Sequence, residues 1–176
     1  MSLSGFCRGG RIALAMFIAS AWTLPLHAGP LFDEGKALYG EKAYKHAAKV
    51  LNKSLAKEEE ADTSTVLLLS DCYIKINKKS KAVDVLTEAA ERHPDSWEVH
   101  YRLGNLQEEK GDRFGALSAF YQAAQLKPED NTTLFRLGVA YDSTAQIEKA
   151  LEMYRKLYRA GSPLAPKLLR TIQGMD

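Results

Sequence analysis

Cysteine is nearly absent from this chain of 176 residues. The two that occur, Cys7 and Cys72, cannot serve as a disulfide framework, because Cys7 lies in a segment expected to be removed and leaves Cys72 alone. Metal-ligand spacings are lacking too. There is no HExxH and no CxxC, and beyond residue 28 the histidines are His46, His93 and His100. No GxSxG surrounds a serine and no glycine loop of the phosphate-cradling kind occurs, so neither nucleophilic hydrolysis nor nucleotide chemistry has a motif behind it. Glu98 and Arg102 stand four apart, the spacing of an exposed ion pair on a helix. The expectation is a protein that is not an enzyme, with no catalytic residue, no metal site and no cofactor.

Long apolar runs are also scarce, and the one that stands out is N-terminal. Arg8 and Arg11, with no acid nearby, precede IALAMFIASAWTL from Ile12 to Leu24, and Pro25 and the small-residue ending at Ala28 follow. This order is that of a secretory signal peptide over residues 1–28. As a helix the run would be roughly 20 Å long, short of the ~30 Å hydrocarbon core of a bilayer. Cleavage is expected after Ala28, with Ala21 as the second choice; an uncleaved signal anchor is the alternative. The mature chain is thus expected to be exported, periplasmic in a bacterium and otherwise secreted, with no stable membrane insertion.

A charge excess is missing once that segment is set aside. Beyond residue 28, 22 basic residues face 22 acidic ones, and no Lys/Arg run exceeds a few residues. Nucleic acid is therefore not an expected partner.

What the sequence does contain is a repeat. YRLG at 101–104 returns as FRLG at 135–138, and Ala47, Ala82, Ala116 and Ala150 are spaced by 35, 34 and 34 residues, as are Gly35, Ser70, Gly104 and Gly138. Four residues after each alanine stands a larger side chain, Leu51, Leu86, Phe120 or Tyr154, while Pro94 and Pro128 close two of the units. Within a unit the apolar spacing predicts two amphipathic helices joined by a turn such as the GD at 111–112, with the small residues marking a close crossing between them. A hairpin this small cannot bury its own faces, so successive units must stack. Cys72, equivalent to Ala37, Leu106 and Ala140, is expected at a buried helix contact.

These residues resemble the tetratricopeptide repeat family, most closely at 97–130 and 131–164 and less closely at 63–96 and about 29–62. Glu34 departs from the family's usual leucine and Gln107 from its usual tyrosine. Leu164, Leu168, Leu169 and Ile172, at helical spacing, mark residues 165–176 as a capping helix and tail. The resemblance implies an all-α, right-handed superhelical solenoid of about four hairpins plus that capping helix. It also implies that the partner is another protein or peptide segment, held in a concave groove lined by the first helix of each hairpin.

Aligned on the repeat, the candidate groove residues are Phe32, Lys36, Tyr39, Leu67, Asp71, Tyr101, Arg102, Asn105, Phe135 and Arg136. The line of Phe32, Leu67, Tyr101 and Phe135 serves either as packing between neighbouring first helices or as an apolar floor for a ligand. Arg102 and Arg136, in adjacent units, are expected to converge on one acidic partner. The carboxylate-clamp subset of the family is not reproduced: Phe32, Lys36, Leu68 and Glu98 stand at four of its positions, and only Arg102 agrees. An exported adaptor is the expected role, for an envelope, secretion, pilus or cofactor-maturation assembly. A homo-oligomeric scaffold built through end or convex faces is the alternative.

Overall fold

The computed structural model describes residues 29–56 and 62–175; the expected signal peptide and its cleavage site lie outside them. The described residues form nine helices and no strand. Four hairpins follow one another: α1 (Pro30–Gly40) with α2 (Tyr44–Leu55), α3 (Thr63–Lys75) with α4 (Lys79–Arg92), α5 (Trp97–Glu109) with α6 (Arg113–Leu126), and α7 (Asn131–Ser143) with α8 (Ile147–Arg159). A short α9 (Ala165–Ile172) packs on both α7 and α8. Each helix packs against the next along the chain, which is the contact pattern of a solenoid.

The second helices show why the sequence folds this way. Ala47, Leu51 and Ser54, then Ala82, Leu86 and Ala89, then Ala116, Phe120 and Ala123 recur at i, i+4, i+7 and are all buried. Two later helices open with a side-chain cap: Asp112 accepts the Gly115 N–H at 2.9 Å and Asp130 that of Thr133 at 2.7 Å. The core is distributed along the stack, as hairpins without a shared centre require. One part joins Leu51, Leu69 and Cys72, a second Leu86, Val99 and Leu103, and a third Phe120, Phe135, Leu157 and Leu168.

Every hairpin turn places one residue in the left-handed region: Lys42, Asn77, Gly111 and Ala145, at the same 34- or 35-residue interval. Glycine enters that region freely and asparagine readily, while lysine and alanine do so at a cost, so the turns at Lys42 and Ala145 are the strained ones.

The glycines on the first helices are sockets, at the close crossing expected between the paired helices. A Cβ on Gly104 would meet the Phe120 ring at 2.8 Å, and one on Gly35 would meet Leu51 at 2.5 Å. The matching socket at Gly138 is filled by Leu168 of α9, whose Cδ2 would lie 2.5 Å from an added Cβ. The capping helix is thus keyed into the last hairpin, and Leu168 is fully buried.

The first unit departs from its relatives in a second respect. Cys72, Leu106 and Ala140 are buried, but the equivalent Ala37 is exposed. The buried three pack against a preceding hairpin, whereas no described helix covers that side of α1. Glu34, Ala37 and Glu41 all lie exposed there, and this accounts for the glutamate where leucine is usual.

Candidate functional site

The first helices α3 and α5 border a pocket of about 480 Å³. Its apolar lining is Ile74 from α3 with Trp97, Tyr101 and Leu106 from α5; its polar lining is Glu98, Arg102, Asn105 and Glu109. Three of the expected groove residues, Tyr101, Arg102 and Asn105, come together here. Positions 97, 98, 101, 102, 105 and 109 fall on one face because α5 is straight helix from Trp97 to Glu109.

Packing fixes the aromatic wall. The Tyr101 ring lies 5.9 Å from Phe120 and 6.0 Å from Trp97, both tilted, so Tyr101 both supports the hairpin and faces the pocket. Lys127 Nζ stands 3.6 Å from the centre of the Trp97 ring, a cation held by its π face.

The arginines do not stand as expected. Arg102 bonds Asp71 of α3, and Arg136 bonds Glu108 of α5 at 3.0 Å, so each is neutralised by the preceding first helix. Both guanidinium groups are thus engaged within the stack, and the groove carries no uncompensated positive charge from them. Glu98 is not the partner of Arg102, and Arg136 is not without one. Each pair is roughly one-third to two-fifths exposed and so adds at most about 1 kcal/mol, but it ties adjacent units together in register.

One polar atom behind the pocket wall is left over. Asn105 Oδ1 is closed off from solvent and accepts no hydrogen bond. Buried acceptors are nearly always satisfied, and an orphan costs about 1–3 kcal/mol. Glu98 makes no hydrogen bond or ion pair among the described residues, while Glu109 reaches Lys79 at 2.9 Å in an exposed bridge.

The other expected groove residues are spread along the stack. Lys36 is exposed, Phe32 and Tyr39 are partly buried against the α1–α2 core, and Leu67 is partly buried against the second core. Burial and the Asp71 carboxylate push the Tyr39 phenol up. Phe135 is only 8% exposed and Lys167 of α9 lies 5.3 Å from its ring centre, so it belongs to the core. Sequence reasoning misses Trp97, Glu98 and Ile74 as site residues. For Glu98 it offers only a salt bridge, although its place one turn before Arg102 on the same face is an available signal.

Chemistry of other kinds finds no support among the described residues. No group of three or more His, Cys, Asp or Glu is placed to hold a metal, and no helix is long and apolar enough to cross a membrane. His100 is buried, with Nε2 3.1 Å from the Pro94 carbonyl, and ties α5 to the loop before it. Burial, and then the neighbouring Asp71, push the Cys72 thiol up to about 11, the opposite of an activated nucleophile.

Comparison with known proteins agrees with this geometry. BBSome complex member BBS4 of Xenopus tropicalis is 30% identical over 122 residues, spanning 69% of this chain and 23% of that protein. DnaJ homolog subfamily C member 3 of Gallus gallus is 27% identical over 131 residues, 74% of this chain and 25% of that one. The chain spans about a quarter of the length of these curated relatives. Among solved structures, a tetratricopeptide repeat protein from Parabacteroides merdae superposes with TM-score 0.72 at 19% identity, over 82% of this chain and 58% of that one. MamA AMB-1 superposes with TM-score 0.64 at 24% identity, over 73% and 70%. Two family models, each described as tetratricopeptide repeat, match residues 67–131 and 132–160, more than half of the sequence. With the stacked hairpins, the filled sockets and these matches agreeing, the chain belongs to the tetratricopeptide repeat family.

Proposed function

We propose that this chain is an exported adaptor, periplasmic if its source is bacterial, that holds an extended segment of a partner protein between α3 and α5. Tetratricopeptide repeats form protein–protein interaction modules and are generally non-catalytic scaffolds, which supplies the class of function. The observation that carries the site is the pocket of about 480 Å³ between α3 and α5, walled by Trp97 and Tyr101, whose ring faces accept a side chain of the segment. The assembly served is of the envelope, secretion, pilus or cofactor-maturation kind. BBS4, a relative matched above, is itself a member of a complex.

A second reading rests on its own observation. Phe114 on α6 and Tyr158 on α8 are 74% and 69% exposed, large aromatic side chains outside the pocket lining, and favour self-association through the second helices. Light scattering over a range of concentrations, with and without an envelope extract, separates the two. A monomer that takes up one foreign polypeptide supports the adaptor; a homo-oligomer that grows with concentration supports the scaffold. N-terminal sequencing from the native host tests export: a start at Gly29 is expected, and an intact Met1 in the membrane fraction contradicts it.

A further inference from the structure

The pocket that seats the partner segment has an acidic character the sequence did not suggest. Its one cation, Arg102, is already bonded to Asp71. What remains on the rim is Glu98, with no partner among the described residues, and Glu109, shared with Lys79 in an exposed bridge. Glu98, the uncommitted charge of the lining, is an acceptor and calls for an N–H. The walls suit a cation as well, since Trp97 already holds the Lys127 ammonium at 3.6 Å; Lys127 is not itself part of the lining.

We infer that the segment bound between α3 and α5 inserts an arginine or lysine side chain, its stem against Ile74 and Tyr101 and its charged head at Glu98. This inference rests on the groove being the binding site, and it reverses the acidic ligand expected from the sequence. A carboxylate placed in the same pocket would face Glu98 and Glu109, so charge selects the occupant. An arginine supplies N–H donors to the Glu98 carboxylate while its planar head stacks on a ring. An uncharged side chain of the same length fills the space and leaves Glu98 unanswered.

The chain carries a built-in reporter. Its two tryptophans are Trp22 and Trp97, so the full-length chain with Trp22→Phe emits from the pocket alone. Three pools of acetylated, amidated hexapeptides serve as probes, with one central position fixed as arginine, norleucine or glutamate and the rest mixed. The arginine pool is expected to change Trp97 emission at about tenfold lower concentration than the norleucine pool, with no response to the glutamate pool. Glu98→Gln is expected to close most of that gap by weakening the arginine response, and added salt to narrow it. Equal response to arginine and norleucine overturns the cation preference and leaves the groove as the site. A stronger response to glutamate also overturns it and returns the site to Arg102. Silence from all three pools at millimolar concentration overturns the groove itself.

Discussion

Gly104→Ala is the smallest change that probes how the hairpins are locked. The added Cβ would lie 2.8 Å from both Cδ1 and Cε1 of Phe120, where carbon atoms normally rest about 3.5–4.0 Å apart. Phe120 is fully buried and touches the Tyr101 ring, so it has no free space to retreat into. Overpacking costs about 1–3 kcal/mol, and a ring with no room to move places this case in the upper half, about 2–3 kcal/mol, against which alanine's better helix propensity returns about 1 kcal/mol. A net loss of roughly 1–2 kcal/mol is expected from urea unfolding followed by far-UV circular dichroism. Gly40→Ala is the control: nothing lies within 4 Å of its Cβ, so no loss is expected. In a Phe120→Val background the clash disappears, and Gly104→Ala should become neutral or stabilising. A Gly104→Ala variant as stable as the parent, or a cost undiminished in the Phe120→Val background, refutes the socket.

The left-handed turns make a paired prediction by the same assay: Ala145→Gly raises stability by about 0.5–1 kcal/mol and Gly111→Ala lowers it by about 1 kcal/mol. Ala116→Leu, at a position 2% exposed beside Phe120, lowers stability by about 1–3 kcal/mol, and an unchanged thermal midpoint means that the core there is looser than described. Replacing Arg102 and Arg136 singly by Gln costs no more than about 1 kcal/mol each, because both ion pairs are partly exposed; a loss of several kcal/mol contradicts that. Cys72 loses its proton near 9.0 when unfolded and only at about 11 when folded, so stability falls as pH rises through that window. Cys72→Ala should flatten the fall between pH 9 and 10, below the usual tyrosine value of 10.0, and an equally steep slope in the variant contradicts the burial of the thiol.

The hairpin stack was legible because each unit repeats the same packing problem. Ala116 and Phe120 are four apart on a helix, and a chain that must solve that contact four times writes it four times. The site was less legible because its electrostatics lie between units. Arg102 meets Asp71 across 31 residues and Arg136 meets Glu108 across 28, neither of them the repeat interval. Only the stagger of neighbouring first helices sets these registers, and aligning equivalent positions hides it. Phe135 misled for a similar reason: its place on the groove line is regular, but α9, which is outside the repeat, covers it. Glu34, which looked like a departure from the pattern, is its consequence on a side where no described helix packs.

The most direct measurement is site-specific photocross-linking in the native host, with a photoreactive side chain at Tyr101 in one strain and at Phe114 in another. Tyr101 lines the pocket and Phe114 is the most exposed aromatic on the second helices. A cross-link from position 101 to a foreign polypeptide, peptide-mapped to a segment containing arginine or lysine and absent from position 114, is the expected result. Cross-links from position 114 to a second copy of the chain, with position 101 silent, contradict the groove and establish the scaffold in its place.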